Sequence, residues 1–324
     1  MPAVPVGAAI RVGASASSAN LGPGFDSMGL ALGVWDELDF TVVAEPGLVV
    51  EVEGSGADGV PRDESHLVYR SMVRGLRELG VDVPAGLVMQ TRNAVPHGRG
   101  MGSSATAIVA GVAAAQGLWA WSRRAAAGSP ARPGDELAID LPAINDLASE
   151  LEGHPDNASA TVFGGMTLSW TDDDGAERGD STVTIGLALH PELAAVVFVP
   201  EATLATHTAR ALLPERVPLR EAALNSARAA LLVEAATRRP DLLVPATRDW
   251  LHQQARRSSY AASMALVDRL RAQGHAAAIS GAGPSVVVLT TNARVEQVSA
   301  GGEQSQWRRL VPGIPARGVH VRAR

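Results

Sequence analysis

The sequence predicts an α+β protein with two domains, in which helices pack on β-sheets. The chain of 324 residues is long enough for two packed domains, and one large domain also fits this length. Its composition, with 46% hydrophobic and 19% charged residues, is typical of a globular protein with a substantial core. Strand-like runs occur both as close pairs and on either side of long helical segments, which favours α+β layers over a regular βαβ array.

In the first half, alternating β-branched or apolar residues predict strands. Their positions are 10–15, 38–43, 48–52, 87–91 and 166–170. Helical spacing and helix propensity predict three helices between these strands. Their positions are 65–79, 103–121 and 136–151. The small, polar, proline-bearing residues 122–135 are typical of a surface connection.

In the second half, Asp172, Asp173 and Asp174 precede a glycine, which predicts a solvated hairpin tip rather than a calcium loop. The same patterns predict further strands and helices along the rest of the chain. The strands are 182–189, 194–199, 276–279 and 286–289, and the helices are 202–213, 219–237 and 258–273.

The composition excludes several classes of protein. All 28 basic residues are arginine, so the chain has neither the P-loop lysine, nor the strand lysine of protein kinases, nor a lysine for a pyridoxal Schiff base. There is no cysteine, which excludes disulfides and thiolate sites. The net charge of −6 without a basic block argues against a nucleic-acid partner. No leader-like N-terminus and no run of eighteen apolar residues is present, so we expect a cytoplasmic protein without membrane contact.

A glycine-rich loop leads directly into the predicted Ala-rich helix. Alternate glycines let the backbone approach a ligand, and the free N–H groups at the start of the helix favour an anion. The hydroxyl groups of Ser103 and Ser104 are able to cap the helix or to contact a phosphate or Mg²⁺. The residues of this predicted anion-binding loop are Pro96, His97, Gly98, Arg99, Gly100, Met101, Gly102, Ser103, Ser104 and Ala105. A tight turn alone is the alternative for this loop.

Two further loops carry small or turn-forming residues. Residues 280–285 contain Gly281 and Gly283 between two apolar runs, so their free amides are able to face an anion, although a strand-to-strand turn needs the same residues. In residues 15–30, Asn20 and Asp26 bracket a Gly-Pro-Gly turn, where such side chains commonly bond their own backbone.

Together, the three loops resemble the three motifs of the GHMP kinases: a substrate loop, a PxxxGxGSS phosphate loop and a late glycine-rich loop that supports it. The resemblance spans residues 15–285, with Met101 in place of the usual leucine. The run from Asn20 to Asp26, with residues 153–157 and 163–165, is most similar to homoserine kinases. The resemblance implies a ribosomal-protein-S5-like domain over residues 1–170 and a ferredoxin-like domain over residues 171–324, with the nucleotide between them.

The resemblance also implies the ligands: ATP, Mg²⁺ and L-homoserine, in a protein expected to be a homodimer. Asp26 and Asn20 would hold the ammonium group of homoserine, and Arg210 and Arg256 would hold its carboxylate. Thr206, His154 and Asp156 would complete the substrate wall, and Asn157 would orient the hydroxyl group without a catalytic base.

The metal ligands are less determined by sequence. The resemblance implies a glutamate before residues 154–157 together with a phosphate-loop serine, and the choice is Glu150 with Ser104. Asp146 and Glu152 are alternatives, because the spacing between helix and motif varies among relatives. Two alternative functions also remain open: another GHMP kinase acting on a different alcohol, and a catalytically silent relative that binds nucleotide.

Overall fold

The computed structural model describes residues 3–172, 181–204, 209–301 and 306–324. Two β-sheets form the framework, one with seven strands and one with four. The strands are β1 (Ala9–Ala19), β2 (Met28–Val42), β3 (Gly47–Gly54), β4 (Gly86–Asn93), β5 (Met166–Asp172), β6 (Ser181–Leu187), β7 (Leu193–Pro200), β8 (Ala276–Ile279), β9 (Val286–Thr291), β10 (Trp307–Leu310) and β11 (His320–Ala323). The helices are α1 (Leu67–Glu78), α2 (Ser103–Ala126), α3 (Leu141–Glu152), α4 (Pro155–Phe163), α5 (Leu219–Thr237), α6 (Leu243–Ala246), α7 (Ala261–Ala272) and α8 (Val295–Gly301).

The seven-stranded sheet has the order β11-β1-β2-β4-β3, and β5 joins it by pairing with both β2 and β6. The pairing of β3 with β4 is parallel, whereas the other pairs in this sheet are antiparallel. The four-stranded sheet has the order β10-β7-β9-β8 and is antiparallel throughout. The mixture of sheets and packed helices confirms the predicted α+β class.

Helix α2 is the central helix of the first half. It packs on α1 and β1, and its Ala-rich and Gly-bearing surface allows close approach: a Cβ at Gly111 would lie 2.3 Å from the carbonyl oxygen of Val68. By length and composition α2 is able to cross a membrane, but 67% of its apolar window is buried inside the protein. Such burial is typical of a core helix, and the packing of α2 against α1 accounts for its hydrophobicity.

Several predicted elements differ from the structure. Residues 122–126 continue α2, since nothing in the run before Ala127 breaks a helix. Helix α3 begins at Leu141 rather than near residue 136, because the carboxylate of Asp140 caps it by accepting from the N–H of Ala143. The predicted helix 202–213 is wrong over most of its described part, since residues 202–204 are irregular and residues 211–212 form a turn.

Helix α4 and strands β10 and β11 have no counterpart in the sequence prediction. Pro155 occupies the first turn of α4, so the His-Pro-Asp sequence starts a helix. Strand β11 lies in the first sheet beside β1, although it comes from the end of the chain. The first sheet also contains β6, and the domain boundary at residue 170 remains a prediction. The hairpin tip predicted at residues 172–174 lies outside the fully described residues.

Candidate active site

One pocket unites the three loops singled out by the sequence. It lies where the phosphate loop, the loop between β1 and β2, the start of α4 and the loop between β8 and β9 meet. The predicted residues that line it are Asn20, Asp26, Gly98, Gly100, Gly102, Ser103, Ser104, His154, Asp156, Asn157, Arg210, Arg256 and Gly281. Residues far apart in the chain therefore form one site, as the sequence predicted.

The three glycines of the phosphate loop adopt left-handed backbone conformations. Gly98, Gly100 and Gly102 have φ values of 63°, 71° and 71°. A Cβ at Gly100 would lie 2.3 Å from the carbonyl oxygen of Ser280, and one at Gly102 would lie 2.3 Å from Oγ of Ser17. The positive φ values and the close neighbours explain why glycine occurs at these positions.

The loop between β8 and β9 supports the phosphate loop from behind. The N–H of Ser285 donates to the carbonyl of Arg99 at 3.2 Å, and Oγ of Ser280 donates to the carbonyl of Gly100 at 2.6 Å. Gly281 lines the pocket, whereas Gly283 packs on the ring of Tyr260. The contacts of this loop therefore agree with its predicted role as a support for the phosphate loop.

Other predicted phosphate-loop residues face away from the pocket. Arg99 donates to the backbone carbonyls of Pro200, His97 and Glu201, so its guanidinium holds the loop to the end of β7. Met101 is fully buried in the core. Pro96, His97, Arg99, Met101 and Ala105 do not line the pocket. These residues shape the loop, whereas its glycines and serines line the pocket; His97 lines the adjoining cavity.

The start of α4 contributes a network of polar side chains. Asp156 is buried, and its Oδ1 lies 2.7 Å from Nδ1 of His154 and accepts from the N–H of Asn157 at 2.8 Å. Burial lowers the pKa of His154, but the hydrogen bond to Asp156 and the nearby carboxylates outweigh this effect and leave the pKa raised. Oγ of Ser17 donates to Oδ1 of Asn157 at 3.0 Å, which fixes this side chain at the pocket wall.

The N-termini of α2 and α4 both face the pocket. Gly102 and Ser103 lie at the start of the 24-residue helix α2, and His154 is the N-cap of α4. The unpaired N–H groups and the positive end of each helix dipole favour a negatively charged group between them.

Among the three acidic residues considered for the metal, the structure brings Glu152 to the phosphate loop. Oγ of Ser104 donates to Oε2 of Glu152 at 2.7 Å, and both residues line the pocket. Burial raises the pKa of Glu152, although the Ser104 hydrogen bond and the charge of His154 oppose the shift. Glu150 instead pairs with Arg74 at 3.4 Å, and with Asp146 it lines a separate groove beside α3. The structure does not bring Glu150 to Ser104.

The opposite wall of the pocket carries paired charges. Nη2 of Arg210 donates to Oδ2 of Asp26. Nε of Arg256 donates to the carbonyl of Ala209 at 2.9 Å, and Arg256 lines the pocket. Both guanidinium groups lie near the ring of Phe25, with the Cζ atoms of Arg210 and Arg256 at 5.8 Å and 5.6 Å from its centroid. Thr206 lies outside the described residues.

A second cavity of about 240 Å³ adjoins the first and shares Gly98, Ser103 and Ser104 with it. Its walls are mostly apolar, with Leu38, Val60, Pro61, Leu67 and Val68 among them. His66, at the start of α1, accepts from the N–H of Val68 through Nδ1, so its Nε2 carries the proton. This Nε2 is buried and has no hydrogen-bond partner among the described residues.

Sequence reasoning missed three groups at the site. Phe25 stood inside the quoted substrate run, but no pattern assigned it a role. Ser17 lies in the same segment, and only the fold brings it to Asn157. The apolar cavity beside α1 combines residues from separate elements, and no local sequence pattern marks it. Glu152 was weighed by its distance from the motif, which leaves open the face of the helix on which it lies.

Two segments of the chain match known families. Residues 66–165 match the GHMP kinases N terminal domain, and residues 222–307 match GHMP kinases C terminal. The chain is 45% identical to the homoserine kinase of Streptomyces avermitilis over 315 residues, which covers 97% of this chain and 96% of the relative. It is 44% identical to the homoserine kinase of Cutibacterium acnes, with 90% and 92% covered.

Solved structures share the fold. A homoserine kinase from Cytophaga hutchinsonii superposes with a TM-score of 0.77 at 23% identity, over 97% of both chains. A mevalonate diphosphate decarboxylase from Staphylococcus aureus superposes with a TM-score of 0.61 at 15% identity, over 97% of this chain and 98% of the other. Because both superpositions span almost the whole chain, this chain shares the overall fold of these proteins.

Proposed function

The chain belongs to the homoserine kinases of the GHMP kinase family, and from this premise we propose that it transfers the γ-phosphoryl group of ATP to the side-chain hydroxyl of L-homoserine. The product would be O-phospho-L-homoserine, on the route to threonine. One observation carries the proposal: a single pocket combines a glycine-rich anion cradle with the charges of Asp26, Arg210 and Arg256, which suit an amino-acid zwitterion.

ATP would bind with its phosphates against the phosphate loop and the N-terminus of α2. The chain has no lysine, so the backbone N–H groups of residues 98–104, the serine hydroxyls and a metal would balance the negative charge of the phosphates. The adenine base would occupy the adjoining apolar cavity, because the two cavities share Gly98, Ser103 and Ser104. There the Nε2–H of His66 would offer a donor to a ring nitrogen.

Mg²⁺ would be held by Ser104 and Glu152 together with the phosphates of ATP. A hydroxyl and a carboxylate 2.7 Å apart are hard oxygen ligands of the kind that Mg²⁺ prefers, and one or two carboxylates with substrate phosphates are its usual set. When bound, the ion would neutralise charge on the transferred group. The support for Glu152 over Glu150 is its contact with the phosphate loop.

Binding of L-homoserine would replace the ion pair between Arg210 and Asp26 with two ion pairs between protein and substrate. Arg210 pairs with Asp26 in the structure, so each charge is partly neutralised within the protein. The ammonium group of the substrate would bind Asp26, and the carboxylate of the substrate would accept forked hydrogen bonds from Arg210 and Arg256. Such an exchange would favour a zwitterion over a neutral alcohol, because only a zwitterion replaces both partners of the internal pair.

The hydroxyl group would be aligned by Asn157, without a catalytic base. Oδ1 of Asp156, the nearest buried carboxylate, is already engaged by His154 and by the N–H of Asn157. Phosphoryl transfer through a loose transition state depends on alignment and charge neutralisation more than on early deprotonation. His154 would add positive charge at the pocket wall, in line with its raised pKa. We propose a cytoplasmic location and a homodimer as further expectations.

An assay of ADP release with Mg-ATP tests the function. L-Homoserine is compared with mevalonate, galactose, L-serine and L-threonine, and strong turnover is expected with homoserine alone. Gly102→Val is the control, because a Cβ there would already lie 2.3 Å from Oγ of Ser17, and homoserine-dependent release should be lost. Turnover with mevalonate or galactose would refute the zwitterion pocket but retain the kinase, and ATP binding without turnover would favour a silent relative.

A further inference from the structure

The substrate loop contains three left-handed residues that are not glycine. Asn20, Leu21 and Asp26 have φ values of 66°, 50° and 53°, and they are the only residues other than glycine with positive φ in the parts that the structure describes. Asn and Asp tolerate the left-handed conformation, but it is unfavourable for leucine and persists at Leu21 only where surrounding contacts impose it. Asn20 and Asp26 are also the residues proposed to hold the ammonium group. Contacts that stabilise this conformation therefore bear directly on substrate binding.

Two buried side chains from the second half of the chain hold the middle of this loop. Nδ2 of Asn225, on α5, donates to the carbonyl of Pro23 at 2.9 Å. Nε2 of His252 lies 2.8 Å from the carbonyl of Gly22, which makes Nε2 the protonated nitrogen. Both bonds are made to carbonyl groups that lie between Asn20 and Asp26. Both side chains are at least nine-tenths buried, so water does not compete for these bonds.

His252 also packs on Phe25, the residue of this loop that lies near Arg210 and Arg256. Its ring stacks on Phe25 with centroids 5.2 Å apart and 30° between the planes, and Phe25 lies against Arg210 and Arg256. The imidazole thus contacts both the backbone at Gly22 and the ring that packs against the two guanidinium groups.

The surroundings of both anchors keep their donors in place. Burial lowers the pKa of His252, as does the charge of Arg256, while Asp249 and Asp26 and the bond to Gly22 act in the opposite direction. Asp249 holds the backbone of His252 in place, since the carboxylate of Asp249 accepts from the N–H of His252 at 3.1 Å. Oδ1 of Asn225 accepts from the N–H of Trp250 at 3.2 Å, which fixes the amide with Nδ2 toward Pro23.

We propose that Asn225 and His252 are positioning residues for homoserine: they hold the strained loop so that Asn20 and Asp26 face the amino acid. The inference rests on the proposed function of this pocket. Neither residue lines the pocket itself, so each acts through the loop and not by touching the substrate. Their loss would weaken homoserine binding selectively, because the phosphate loop is held by a different set of contacts, from Ser280 and Ser285.

The test uses two variants, each of which removes one donor to the loop and keeps another contact of the same side chain. Asn225→Asp keeps the acceptor for the N–H of Trp250 but removes the donor to Pro23. His252→Phe keeps a ring that stacks on Phe25 but removes the donor to Gly22. We expect each to raise the KM for homoserine at least about 5-fold, with the KM for ATP changed less than about 2-fold. His252→Gln, which retains a donor, should recover part of the loss.

Asn292→Asp is the matched control. Nδ2 of Asn292 also donates to a proline carbonyl, that of Pro191 at 3.4 Å, but on the exposed surface away from the pocket. This variant should leave the KM for homoserine unchanged. Equal rises in the two KM values, or none, in folded Asn225→Asp and His252→Phe would overturn the proposal.

Hydrogen exchange gives a readout that is independent of the reaction. In both variants the amides of Gly24 and Asp26, which donate within the loop, should exchange at least about 5-fold faster, while the amides of α2 stay unchanged. Unchanged exchange in the loop would refute the anchoring role. If the wild-type protein fails to turn over homoserine, the proposed function fails, and the exchange measurement still decides whether these residues hold the loop.

Discussion

Gly100→Ala is expected to disable the phosphate cradle through a backbone collision. The added Cβ would lie 2.3 Å from the carbonyl oxygen of Ser280 and 2.8 Å from that of Gly283, whereas ordinary contacts begin at 3.4 Å. Relieving the first contact requires a displacement of about 1 Å, and a misplacement of about that size lowers turnover by about 100-fold. We therefore expect kcat/KM for ATP to fall by about 100-fold.

Gly128→Ala separates this collision from backbone strain. Gly128 has a φ of 72°, against 71° for Gly100, but nothing lies within 4 Å of its added Cβ. Both variants should lose about 1–2 kcal/mol of unfolding free energy from the left-handed conformation, while only Gly100→Ala should lose activity. The measurements are urea unfolding and steady-state kinetics with varied ATP. Normal kinetics in folded Gly100→Ala would refute the argument that this close approach shapes the cradle.

Three further predictions concern charges. Glu152→Gln should raise the Mg²⁺ concentration for half-maximal activity at least about 10-fold, and Glu150→Gln should change it less than about 2-fold; the reverse order in a Mg²⁺ titration would restore Glu150 as the ligand. Asp26→Ala should raise the KM for homoserine at least about 10-fold without changing that for ATP. A KM for homoserine equal to that of the wild-type protein would contradict the ammonium role. Burial raises the pKa of Asp36 from 3.8 to about 6, against the hydrogen bonds from Val95 and Ala94. Because the folded pKa is raised, the stability contributed by its protonated form is complete below pH 3.8 and is lost as the pH rises through about 6. Asp36→Asn should therefore reduce the loss of unfolding free energy between about pH 4.5 and 7.5 by about 2 kcal/mol in urea titrations, and an unchanged slope would rule out Asp36 as its source.

The glycine-rich loops were predictable because their chemistry is local. A left-handed backbone beside a helix start requires glycine and small hydroxyl residues, so the requirement is written in adjacent positions, as in residues 98–104. The substrate loop was predictable for the same reason, since Asn20 and Asp26 are residue types that tolerate positive φ. The sequence could not reveal that these conformations depend on buried contacts from Asn225 and His252.

The acidic partner of Ser104 was not predictable in this way. Glu150 and Glu152 are two residues apart near the end of α3, so they point in different directions around the helix. Their spacing from the next motif does not decide which faces the phosphate loop. The structure decides it, because α3 packs with the side of Glu150 toward Arg74 and α1, and with Glu152 toward Ser104.

Secondary structure was likewise predictable where local preference is strong and not predictable where it depends on distant partners. Residues 219–237 were predicted as a helix with the bounds that α5 has, since its propensity is strong throughout. Strand β11 has only four residues and gains its structure from pairing with β1, a partner about 300 residues away in the chain. Short segments of this kind carry too little local preference to be identified without their neighbours.

The sequence by itself determined the α+β class, the three ligand loops and the types of charge that a zwitterion and a phosphate require. Those features depend on residue type and on adjacent positions, which the chain states directly. Only the tertiary structure decided which acidic residue meets Ser104, that Arg99 and Met101 support the cradle from outside the pocket, and that Arg210 pairs with Asp26. Those features depend on how helices and sheets pack, because packing selects which face of each element reaches the site.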